Sequence, residues 1–71
     1  MLYYLWQSDN VSKVHGPFKT VMEGVARVYS STLALKPGTK LYLFMFDPDT
    51  LKFYYTGRRL KINAERVVEW L

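Results

Sequence analysis

Three groups of residues in this 71-residue chain could do chemistry or charged recognition. The first is His15, the only histidine, set beside Gly16-Pro17. A histidine base needs an orienting acid and a nucleophile or water within reach, and a metal site needs further ligands. With no cysteine and no second histidine, His15 reads as a strand-end residue without catalytic company. The second group is Asp47-Pro48-Asp49. Two carboxylates two residues apart resemble the start of a calcium loop, but the third oxygen ligand, the turn glycine and the distant glutamate do not follow in register. The pattern reads as turn chemistry, with Pro48 presetting φ and Asp47 accepting a bond from the turn backbone. No catalytic, metal or cofactor site is indicated, and the chain reads as a non-enzyme.

The third group is Lys52, Arg58, Arg59 and Lys61, which share a ten-residue span with no acid. They equal the whole net charge of +4, from ten basic and six acidic residues. With Tyr54 and Tyr55 interleaved, such a segment can meet phosphates with its charges and stack bases on a ring. It lacks the glycine-spaced aromatic signature of RNA-binding strands, and a charge of +4 is modest. Solvated strand and loop charge is the plainer reading, which leaves nucleic-acid binding as the alternative function.

The element that must position these groups is a β-hairpin formed by residues 40–46 and 51–56. If Pro48 and Asp49 are the central pair, Phe46 opposes Leu51, Phe44 opposes Phe53, and Tyr42 opposes Tyr55. Alternation places those six side chains on one wholly apolar face, which reads as the core. Leu41, Leu43 and Met45 share the other, mixed face with Thr56, Tyr54 and Lys52, and Gly57 ends the hairpin.

Before the hairpin, residues 2–7 read as a strand apolar on both sides, suited to a central place in a sheet. Residues 11–15 return as a more polar edge strand, with Lys13 guarding the edge and Gly16-Pro17 closing it. Thr20 and Glu23 have the spacing of a capping box, and apolar residues at 21, 22, 25, 28 and 29 make one helical stripe. Gly24 costs that helix about 1 kcal/mol relative to alanine, and its missing side chain allows close packing on the sheet. The helix ends between residues 30 and 35, before the Pro37-Gly38 turn. Residues 58–62 are a strand extension or an extended connector. Asn63 as N-cap, Glu65, and a stripe of Ala64, Val67, Val68 and Leu71 predict a short closing helix.

These elements predict one α+β domain over residues 1–71. Its antiparallel sheet has three to four strands in ββαββα order, with both helices mainly on the aromatic face. Twelve aromatic residues (two Trp, six Tyr, four Phe) supply the packing that disulfides cannot. The mixed face would then stay partly open. Leu41, Leu43, Met45 and Tyr54, with either Tyr3 and Leu5 or Leu2, Tyr4 and Trp6, form a candidate protein-contact face. The leading functional expectation is a small binding module that contacts a protein partner or a second copy of itself. The apolar start is too short to span a membrane and lacks the marks of a secretion signal, which favours a cytoplasmic protein with no membrane partner. No small-molecule ligand is indicated.

Overall fold

The computed structural model describes residues 1–9, 13–30 and 35–71. Its elements in chain order are β1 (Leu2–Gln7), β2 (Val14–Phe18), α1 (Val21–Ser30), β3 (Lys40–Asp47), β4 (Lys52–Ile62) and β5 (Val68–Trp70). The strands form one sheet in the order β2-β1-β3-β4-β5, with every neighbouring pair antiparallel. The expected ββαββα fold with two helices is therefore corrected to a five-stranded antiparallel sheet with, among the described residues, one short helix.

The closing helix is the element that fails. Asn63 does accept backbone bonds as a cap would, its Oδ1 receiving Glu65 N–H (3.0 Å) and Val67 N–H (2.9 Å). What it closes is a tight turn, in which Asn63 N–H reaches Val67 O (3.0 Å) and Arg66 takes φ 62°. Eight residues make a marginal helix, whereas Val67, Val68 and Trp70 suit a pleated strand. The chain accordingly returns as β5 beside β4, with Val68 opposite Ile62 and Trp70 opposite Leu60.

The capping box at the start of α1 is present in altered form. Thr20 Oγ1 accepts from Glu23 N–H (3.1 Å), while Glu23 Oε2 reaches back to Lys19 N–H (3.1 Å) rather than to Thr20. Gly24 and Val28 are buried, with Val21 and Val25 packed beside the core, whereas Met22 and Tyr29 face out. A Cβ at Gly24 would lie 2.8 Å from Phe18 Cδ2, so the glycine is what lets the helix settle onto that ring. The edge strand begins at Val14, and the expected positions 11 and 12 lie outside the described residues. Gly16-Pro17 sits inside β2 at an irregularity in its pairing and does not close it.

The hairpin register differs by two residues from the expected one. Asp47 pairs with Lys52, Phe46 with Phe53, Phe44 with Tyr55 and Met45 with Tyr54. Residues 48–51 form the loop, Asp49 N–H bonds Asp47 Oδ1 (2.9 Å), and Leu51 takes φ 56°. A slip of two leaves every side chain on its original face. Gly57, at φ 84°, lies within β4 at a second irregularity and does not end the strand.

The core is Leu5, Phe18, Val28, Leu35, Leu41, Leu43, Leu60 and Ile62. It lies between α1 and the face carrying Leu41 and Leu43, opposite to the side expected. The physical reason is in β4. Leu60 and Ile62 alternate onto the same face as Leu41 and Leu43, and together with Leu5 they make the broad aliphatic surface that a helix can cover closely.

Candidate functional site

The face turned away from α1 is aromatic. Pairing and alternation arrange it in rows across β1, β3 and β4: Trp6, Tyr42 and Arg59; then Tyr4, Phe44 and Tyr55; then Leu2, Phe46 and Phe53. At the end beyond Trp6 come Ser8, whose N–H bonds Lys40 O (2.9 Å), then Lys40 and Lys61 as direct neighbours, and Glu69 on β5. No described element lies over these rows.

Seven rings support one another there. Phe46 and Phe53 stand 4.9 Å apart, Tyr4 and Phe53 5.2 Å, Trp6 and Phe44 5.2 Å, and Phe44 and Tyr55 5.3 Å between centroids. Tyr42–Tyr55 and Trp6–Phe53 are edge-to-face contacts at 5.9 and 6.1 Å. Such tilted geometry is what the ring quadrupole favours. It leaves ring surface open to water: Phe53 and Tyr55 are each 47% exposed. Between the rings an open groove of about 500 Å³ is lined by Trp6, Gln7, Ser8, Tyr42, Phe44 and Phe53.

Close to the groove's end, Gln7 pairs with Leu41 and His15 with Leu5, so both side chains turn to the covered side of the sheet. Gln7 Nε2 donates to Asp9 Oδ1 (2.8 Å), and Gln7 Oε1 lies 3.2 Å from His15 Nε2. An amide oxygen only accepts, so Nε2 of His15 carries the proton in this pair. Burial first, and the charge of Lys13 second, hold the His15 pKa below its ordinary value of 6.5. Ser8 Oγ accepts from Lys40 N–H (3.3 Å).

The residues singled out in the sequence divide unevenly over this frame. Leu41 and Leu43 are buried under α1, Met45 is half-buried on that covered face, and Tyr54 is exposed at its margin. Leu41 and Leu43 are thus corrected from a contact face to the core. The basic segment is split by alternation. Arg59 and Lys61 stand on the aromatic face, whereas Lys52 and Arg58 project from the other, where Arg58 lies 4.1 Å from the Trp70 ring centroid. Asp47 serves the turn, and among the described residues no cluster of three His, Asp or Glu side chains could hold a metal. The sequence reading left out Lys40 as a partner of Arg59 and Lys61. Carrying the two-residue alternation past Gly57 and back across to β3 would have placed it.

No family model matches the chain, and neither a curated protein nor a solved structure matches it. The functional reading rests on the residues of the face. No helix among the described residues is long and apolar enough to cross a membrane.

Proposed function

We propose that this protein is a non-enzymatic binding module whose working surface is the open aromatic face of its sheet. One observation carries the reading: the layer under the helix is mainly aliphatic, and the largest cluster of mutually packed rings lies on the opposite side of the sheet. The aliphatic residues Leu5, Leu41, Leu43, Leu60 and Ile62 lie under the helix, and seven aromatic rings occupy the side that nothing described covers. An antiparallel sheet with one solvated face ordinarily alternates apolar in and polar out. A contiguous aromatic patch departs from that rule in the way interaction surfaces do. Aromatic residues are also the side chains that contribute most at contact surfaces.

Trp6 lies within the face and reports on its occupation. With Trp70→Phe, Trp6 is the sole tryptophan. Its emission should shift saturably either on concentrating the protein or on adding single-stranded oligonucleotides. The double variant Phe53→Ser/Tyr55→Ser should abolish the shift while keeping the circular dichroism spectrum. A shift that survives in the folded double variant, or its absence under both titrations, would show that the aromatic face is not the working surface.

A further inference from the structure

We infer that the occupant of this face is a single-stranded nucleic acid, laid across the sheet at its basic end; the inference rests on the preceding reading of the face. Charge decides the occupant. The outermost cross-strand positions on the aromatic face are Lys40 and Lys61, and the next row adds Arg59 beside Tyr42. The one acid among the described residues in these rows is Glu69, on the β5 edge. Two further lysines flank the same end. Lys13 O accepts from Gln7 N–H, and Lys36 precedes the turn whose Gly38 N–H bonds Ile62 O. Asp9, also at this end, is held by the Gln7 amide. The acids of the distant hairpin do not compete, because Asp47 alternates onto the other face and caps its own turn.

Cations and rings are adjacent here. The groove lined by Trp6, Tyr42, Phe44 and Phe53 opens beside the row holding Arg59. A strand crossing from β1 to β4 would set phosphates on Lys40, Arg59 and Lys61 and place bases against the rings. Only unpaired bases present flat surfaces for stacking, so a duplex is the wrong shape for this face. Gln7 bonds its amide within the protein and Ser8 Oγ already accepts one bond, so few polar groups of the groove lining remain for reading base edges. Recognition should tolerate sequence.

The experiment is fluorescence anisotropy on the whole chain with labelled ten-nucleotide dT, dA and rU strands and a ten-base-pair duplex. Single strands should bind at about 50 mM salt, dT and dA within a few-fold of each other, and the duplex more weakly. A comparison of rU with dT tells whether the sugar matters. Three phosphate contacts predict a slope of log affinity against log salt near −2, or roughly a 20-fold loss between 50 and 200 mM. Lys40→Gln, Arg59→Gln and Lys61→Gln should each flatten the slope by roughly 0.7. Arg58→Gln and Lys52→Gln, on the other face, should leave it unchanged. Phe53→Ala should weaken binding about tenfold through lost stacking. Failure of every strand to bind, equal binding of the duplex, or equal effects of the charge variants on both faces overturns the inference. If oligonucleotides fail while concentration alone shifts Trp6 and sedimentation shows a dimer lost in Phe53→Ser/Tyr55→Ser, a second copy occupies the face and the reading of the face stands. If neither occurs, both fall.

Discussion

The two faces of the sheet mix apolar side chains in different proportions, mainly aliphatic under the helix and mainly aromatic on the other side, although they share the same strands and alternate residue by residue. Along β3, Leu41 and Leu43 are almost wholly buried, while Tyr42 and Phe44 beside them remain partly open. Branched aliphatic chains fill the space beneath a helix closely, and Gly24 brings α1 down onto Phe18 to complete that layer. Rings on the other face pack sideways against one another and keep their outer surfaces free. Apolar content alone therefore does not say which face is the interior. The face that an available helix can close against is the core, whatever the hydrophobicity of its opposite.

The sharpest way to break this comparison is to truncate neighbours. Leu43→Ala should cost roughly 2–5 kcal/mol, the range for a buried leucine. Phe44→Ala, on the open face, should cost clearly less in the same urea denaturation series. Equal or reversed losses would mean that the aromatic face is closed in solution. A smaller effect is expected at the helix contact. Gly24→Ala gains about 1 kcal/mol of helix propensity but sets a methyl against the buried Phe18 ring, so that ring or the helix must shift. A net loss of about 1 kcal/mol, read as a fall in Tm of roughly 4–8 °C, is the expected outcome. A stabilised variant would show that α1 stands farther from β2.

The structure implies a third and smallest effect, on the helix side of the sheet where β2 pairs with β1. His15 has a folded pKa below its ordinary 6.5, so the unfolded chain binds its proton more readily. Its contribution to stability is therefore complete above pH 6.5 and is lost as pH falls through the folded value. Thermal melts between pH 7.5 and 5 should show this decline, and His15→Gln, which can still donate to Gln7, should remove that part of it. An unchanged pH profile in the variant would rule out His15 as the cause.

Much of this frame was legible from residue order. The inner place of β1, the start of α1, the packing use of Gly24 and the composition of the aromatic row all follow from alternation, capping and turn residues. The reading failed where short-range signals were ambiguous. Asn63 followed by Glu65 is the same chemistry whether it begins a helix or closes a turn, and only the β-branched pair Val67-Val68 argues for the strand. The hairpin alone does not mark the inside, because Leu60 and Ile62, which complete the covered face, lie beyond Gly57. The basic end of the aromatic face is hidden for the same reason, since Lys40 and Lys61 are distant in sequence and become neighbours only through the pairing of β3 with β4.

The irregularity at Gly57 has a consequence for insertions and deletions. Between the pair Phe44–Tyr55 and the pair Tyr42–Arg59, β4 advances four residues while β3 advances two. The surplus is an even number, so parity survives it: Tyr55, Arg59 and Lys61 stay on one side, and Leu60 and Ile62 on the other. Removing the two extra residues would slide the basic pair along the strand without exchanging inside for outside. Removing one would turn Leu60 and Ile62 to water and drive Arg59 and Lys61 beneath the helix. The length of this strand is thus constrained in steps of two, and Gly57, with its left-handed backbone, is where such a step is accommodated.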